Sequence, residues 1–223
     1  MRLLILLFYL CSGACCLAIE DDDTAQLQVV KKWLAHRSSV TSVRASFVQE
    51  RHLKALKRPI ISNGKLWFKK PRLFRWEIGS PAERIAISKN GTFLIVMPKK
   101  KSAEIHSDEG IQKNRRSPAL MFFEAGFPND YNEFIRTFTL TDVIRRDGNF
   151  VVSLKVNDRR TSLALRKIIF EMNSKTYITE SMEIRFRDTS SIKTIFKDVH
   201  ENAIFSDDLF DFDLTGFHVK EVD

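Results

Sequence analysis

Four aspartates, Asp207, Asp208, Asp211 and Asp213, alternate with Leu209, Phe210 and Phe212 near the C-terminus. Such carboxylates could hold a hard cation, but no glycine-turned loop of the calcium type accompanies them. An edge strand with a charged outer face explains them better. The five histidines, His36, His52, His106, His200 and His218, are scattered and show no paired ligand spacing. No metal site is expected. No glycine-rich phosphate loop or nucleophile elbow is present, and no cofactor is called for. A Ser-His-Asp set meets only in three dimensions, so spacing alone does not reveal one. A secreted hydrolase stays as an alternative of a different class, but the expectation is that the chain is not an enzyme.

The chemistry on offer is apolar. Trp67 to Glu77 reads W-F-K-K-P-R-L-F-R-W-E. A strand carrying Trp67 and Phe68 stops at two lysines and Pro71, and a second strand lines up Phe74, Trp76 and Ile78. Residues two apart in a strand share a face, so these aromatics form an apolar wall. Proline belongs at a strand start or turn, which fixes the corner. Further on, Ser117-Pro118 precedes Ala119, Leu120, Met121, Phe122, Phe123, Glu124 and Ala125, and Gly126 follows. Proline at the start and glycine past the end mark a helix of two turns. Being apolar all round, it must be covered or must cover something. It either plugs the sheet's core or roofs a pocket, and the flexible Met121 suits a surface that repacks around apolar ligands.

The elements that position these residues follow from periodicity. Leu27, Val30, Lys31, Trp33 and Leu34 recur at helical spacing from Thr24 to about Arg37, behind an acidic lead-in at Glu20–Asp23. The pattern then turns to period two: Val43, Ala45, Phe47 and Gln49 oppose Arg44, Ser46, Val48 and Glu50. Strands are expected near Ile61–Lys69, Leu73–Ile78, Arg84–Ser88, Thr92–Met97 and Ala103–His106. Asn63-Gly64, Gly79-Ser80-Pro81 and Asn90-Gly91 punctuate them as turns or bulges. The Asn90-Gly91-Thr92 triplet also matches a glycosylation signal, but the hairpin reading is preferred. After a short helix at Asn129–Thr137, strands resume at Thr139–Arg145, Phe150–Val156, Leu163–Met172, Tyr177–Arg187, Ser191–Val199 and Leu209–Leu214. Asp147-Gly148 marks a hairpin between two of them. About eleven strands with few helices argue for one mainly β, strongly curved antiparallel sheet, an incomplete barrel.

The first 18 residues read as an export signal: Arg2, the apolar run Leu3–Leu10, then small residues up to Ala18. The domain proper would be residues 19–223, in the periplasm. All three cysteines, Cys11, Cys15 and Cys16, fall within the signal, so core burial and not disulfides must hold the mature chain together. Ser12-Gly13-Ala14 before Cys15 partly resembles a lipid-attachment signal, although Ser12 stands where a bulky aliphatic is usual. The formal charge is +8 and falls to +7 once Arg2 is removed. Clusters at Lys99–Lys101, Lys113–Arg116, Arg145-Arg146 and Arg159-Arg160 supply most of it. Such charge favours anionic surfaces, or else marks solvated loops and edges. Export argues against nucleic acid as the partner.

The order of helix, Ala45-Ser-Phe-Val-Gln49, Gly64–Glu77, Pro81 and Ile85–Gly91 resembles the periplasmic outer-membrane lipoprotein carrier family, LolA. Ser117-Pro118-Ala119-Leu120-Met121 is similar to that family's S/T-P-x-x-M/L segment, and Phe210-Asp211-Phe212 with Gly216–Val219 to its closing strand. The resemblance implies an incomplete barrel with a hydrophobic cavity under a helical lid. It implies a monomeric carrier that takes acylated lipoproteins or lipids from an inner-membrane lipoprotein-releasing transporter to an outer-membrane acceptor. Phe47, Trp67, Phe74 and Trp76 would line the sheet side, and Leu120, Met121, Phe122 and Phe123 the lid side. The family's latch arginine, directly before the motif proline, is Lys70 here, which lacks the guanidinium fork. A membrane-anchored acceptor or lipoprotein sensor of the same fold is the alternative, and Cys15 would decide it.

Overall fold

The computed structural model describes residues 22–107 and 131–222. Helix α1 (Asp22–Ser39) leads into β1 (Ser42–His52), β2 (Ile60–Lys69), β3 (Leu73–Ile78), β4 (Arg84–Lys89), β5 (Thr92–Met97) and β6 (Ser102–Ser107). After α2 (Tyr131–Thr137) come β7 (Phe138–Arg146), β8 (Asn149–Val156), α3 (Arg159–Ala164), β9 (Leu165–Asn173), β10 (Thr179–Phe186), β11 (Ser191–Glu201) and β12 (His218–Val222). All twelve strands form one sheet in the order β12-β6-β5-β4-β3-β2-β1-β11-β10-β9-β8-β7. The two edge strands do not pair with each other, so the barrel is incomplete, as the sequence led us to expect. The described residues hold twelve strands, in line with the roughly eleven expected. Every pairing is antiparallel except the last, where β12 runs parallel to β6 from His218 opposite Ser102.

Cross-strand rows define two faces. Ala45, Leu66, Trp76, Ala86 and Ile95 face one another in register on the side we call inner. Trp67, Arg75, Ile87, Leu94 and Ile105 form the next row, on the outer side. A single buried cluster covers the inner face, joining Leu66, Phe74 and Trp76 to Val152, Phe170 and Met182 through Val30, Trp33 and Leu34 of α1. Strands β2 and β9 stand four positions apart in the sheet, so a shared core between them requires the sheet to curl. Helix α1 lies inside the curl. Its buried positions 30, 33 and 34 follow the helical repeat, and His36 and Arg37 complete its last turn, where cations suit the carbonyl end.

Local chemistry explains most corners. Asn90-Gly91 and Asp147-Gly148 adopt positive φ at both positions, the two-residue turn whose twist matches flanking strands. Three sequence-based expectations are corrected. Asn63-Gly64 is no turn but lies inside β2, where Gly64 faces Phe47 across the ladder. Leu163 starts no strand, because Asp158 caps Thr161 and draws residues 159–164 into α3. Leu209–Leu214 is not a strand either: Asp207–Phe210 makes one 3-10 turn, capped by Ser206, and the chain then crosses the outer face. There Phe210 is buried with Ile85, Ile87, Val96 and Ala103. Arg75 Nη1 donates to the Leu209 and Asp211 carbonyls at 2.8 and 3.3 Å, holding this strap down.

Candidate functional site: the inner face beneath the first helix

Phe47, Phe74 and Trp76 come together as the sequence predicts, all buried on the inner face. Phe47 stacks on Trp76 with centroids 4.0 Å apart and planes 24° from parallel, and Phe74 lies 6.2 Å from Trp76. Trp67 is a correction. It is on the outer face, half-buried against the second cluster with Leu73, Phe212 and Phe217. Adjacent strand residues point to opposite sides, so Trp67 and Phe68 cannot both join the wall. Leu120, Met121, Phe122 and Phe123 lie outside the described residues.

Lys70 does not stand alone at the corner. Its ammonium donates to the Ser38 carbonyl at 2.5 Å, in the last turn of α1, and its backbone N–H to the Thr41 carbonyl at 2.8 Å. It thus ties the β2–β3 corner to the end of α1, where orphan carbonyls need donors.

Between α1 and the sheet is a cavity of about 50 Å³. Its apolar wall includes Ala45 and Leu66 from β1 and β2 and Phe170 and Phe196 from β9 and β11. Its polar side is His36, Arg37 and Glu201, with His36 Nε2 and Glu201 Oε1 2.9 Å apart. Burial pushes the Arg37 guanidinium down to about 10, against the pull of Glu201. Arg37 also lies 5.8 Å from the Trp33 ring. Trp33 is the helix's central anchor, 4.9 Å from Phe170 and edge-on to Phe134 at 6.1 Å. Its indole N–H reaches Thr179 Oγ1 at 3.4 Å.

Sequence reasoning missed the C-terminal half of this wall, Phe170 and Phe196 included. The signal was available: β9 buries Leu165, Ile168, Phe170 and Met172 at near-alternate positions. Polar ties from α1 to the sheet include His36 to Glu201, Lys70 to Ser38, the Trp33 indole N–H to Thr179, and Gln26 accepting from the Val143 N–H at 3.1 Å. Among the described residues no three His, Cys, Asp or Glu side chains converge to hold a metal.

The described residues thus define an open, curled sheet wrapped around α1, with an aromatic inner face. The model of the outer membrane lipoprotein carrier protein LolA family matches residues 38–213, and the chain belongs to that family. No match was found among curated proteins. Among solved structures, a domain described as that of an outer membrane lipoprotein-sorting protein, from Vibrio parahaemolyticus, is similar at 11% identity, covering 83% of this chain and 95% of that one (TM-score 0.50). An uncharacterized conserved protein from Thermus thermophilus is similar at 9% identity over 90% and 99% (TM-score 0.52). A DUF1329 family protein from Desulfovibrio piger is similar at 10% over 84% and 96% (TM-score 0.50). At these identities the likeness establishes the fold.

Proposed function

We propose that this protein is a periplasmic carrier that shields the acyl chains of a lipoprotein, or a related lipid, against its inner face between the inner and outer membranes. The observation that carries the reading is the pocket beneath α1, which an aromatic and aliphatic wall encloses on the sheet side. Family membership supports it. Each methylene hidden from water is worth about 0.8 kcal/mol, so a chain of about 15 methylenes represents roughly 12 kcal/mol of exposure. Free diffusion across an aqueous space is prohibitive at that cost, and a wall that binds by area suffices to remove it. The role is physical shielding, not catalysis.

At about 50 Å³ the cavity is far smaller than the roughly 300–1,000 Å³ of ordinary ligand pockets. Loading therefore requires α1 to lift from the sheet. Burial of Trp33, Val30 and Leu34 opposes that movement while the wall is empty and restores the closed core afterwards, and an acyl chain offsets the cost by covering the same wall. Release to an acceptor is then the reverse: the helix competes with the acyl chain for the same wall.

A fluorescent fatty acid titrated into the purified protein should saturate one site and be displaced by a diacylated lipopeptide. Probe binding that never saturates, or that lipid leaves unchanged, would remove the carrier reading. The anchored alternative rests on Cys15 and is separated by the mass of the mature N-terminus. A chain starting at Ile19 is the free carrier, and an acylated Cys15 is the anchored form.

A further inference from the structure

One end of the strands carries exposed apolar side chains among an excess of cations. The β1–β2 loop, the β10–β11 turn and α3 share this end, because His52 pairs with Ser191 and Phe186 with Leu165. Arg187 joins the turn to α3, donating from its backbone to the Ala164 carbonyl and from Nε to the Ser162 carbonyl, at 2.9 and 2.7 Å. Lys54 of the β1–β2 loop is close enough for its charge to act on Asp188 of the turn. Ser190 hydrogen bonds hold the Asp188 carboxyl below its usual range, and the Lys54 charge adds to this. The three connections thus form one continuous rim.

On that rim Leu56 is 49% exposed, Ile61 63% and Leu163 74%, with Ile60 beside them. A Leu56 N–H to Leu53 carbonyl bond of 2.9 Å makes the loop tip a tight turn that projects Leu56 outward. Lys54, Lys57, Arg58, Arg159, Arg160 and Arg187 are all exposed there. None of the first five forms an ion pair with another described residue. Against these six cations the rim sets two acids, Asp158, which caps Thr161, and Asp188, held by Ser190. Ile60 and Ile61 are consecutive in a strand, so they project from opposite faces. A folded protein partner covers one face of such a tip, whereas a fluid medium surrounds both. Cations interleaved with apolar side chains match the boundary between anionic headgroups and acyl chains.

We propose that this rim docks the protein onto an anionic lipid bilayer, with Leu56, Ile60, Ile61 and Leu163 entering the acyl boundary beneath the headgroup phosphates that Lys57 and Arg58 meet. The pocket beneath α1, near Tyr177 and Glu201, lies toward the opposite ends of the same strands, so docking leaves it uncovered.

The purified protein is tested by sedimentation with vesicles of phosphatidylcholine alone and of phosphatidylcholine with phosphatidylglycerol. Binding to the anionic vesicles should be at least about tenfold tighter and should weaken as salt is raised. Leu56→Ser with Ile61→Ser, and separately Lys57→Ser with Arg58→Ser, should each lower it about tenfold or more. Both variants should take up the fatty probe as the parent does, which shows that fold and pocket are intact. Equal binding to both vesicle types, or variants that bind like the parent, overturns the proposal. So does capture of an acidic protein by the rim without any vesicle binding, which would assign it to a protein surface instead.

Discussion

Phe47 and Gly64 are direct partners across the β1–β2 ladder, and the Phe47 ring occupies the space a side chain at 64 would need. A Cβ built on Gly64 would meet the Phe47 ring and the Glu77 carbonyl oxygen. The missing side chain is what lets Phe47 lie flat over β2 and stack on Trp76. Glycine inside a strand is ordinarily a weakness, and here it is the condition for the aromatic wall.

Replacing Gly64 with alanine should therefore destabilise the fold by overpacking, about 1–3 kcal/mol. In a domain of this size that is roughly 2–12 °C in Tm. Calorimetry checks it, and a second change, Phe47→Leu, should recover part of the loss by vacating the space. An unchanged Tm in the alanine variant would mean that the ring does not rest on Gly64.

The three tryptophans report separately on the two faces, Trp33 and Trp76 inside and Trp67 outside. A brominated fatty acid, which quenches indole on contact, should quench a Trp67→Phe variant at least as completely as the parent. A Trp33→Phe, Trp76→Phe variant, left with Trp67 alone, should keep its emission. Quenching of Trp67 to the same extent would place the ligand on the wrong side of the sheet.

Much of this arrangement is legible in the residues, and the failures have physical causes. Period-two alternation in β1 and β3 assigns Phe47, Phe74 and Trp76 to one side without any structure. Trp67 fails the same rule: it neighbours Phe68, and only every second residue of β2 can belong to the wall. Asn63-Gly64 carries a turn signal, but the glycine answers a need for close approach by a ring 17 positions earlier, which no local pattern records. The alternating aspartates and phenylalanines at 207–213 imitate an edge strand. Their carboxylates pair sideways instead, Asp207 with Lys69 and Asp211 with Lys89, each at 2.5 Å, and bind the strap to the outer face. Finally, Phe170 belongs to the pocket only because the sheet curls, a property of all the strands together.

Lys70 holds the end of α1, and its loss should loosen the helix more than it destabilises the fold. Lys70→Leu removes one exposed charge-assisted bond to the Ser38 carbonyl, a change of about 0.5–1 kcal/mol in stability. If α1 must lift for loading, stopped-flow mixing with the fatty probe should show both faster uptake and faster release in this variant. Lys70→Arg, which keeps a donor, should behave like the parent. Identical kinetics in all three proteins would take Lys70 out of the opening step.

Arg37 is charged where burial opposes charge, and this has a definite sign. Its folded-state value near 10 lies below the ordinary guanidinium range that the unfolded chain retains. Below about pH 10 both states hold the proton, and the cost of burying it is fully present. Above that, the folded chain sheds the proton while the unfolded chain keeps it, so this group's contribution to stability rises with pH through the window. At neutral pH, Arg37→Met should consequently leave urea stability equal or raised, since the methionine keeps the stem's packing without the desolvated charge. A loss of more than about 1 kcal/mol would show that the contacts with Glu201 and the Trp33 ring outweigh desolvation. In that case the Arg37 charge stabilises the closed position of α1, and the same variant should load the fatty probe faster.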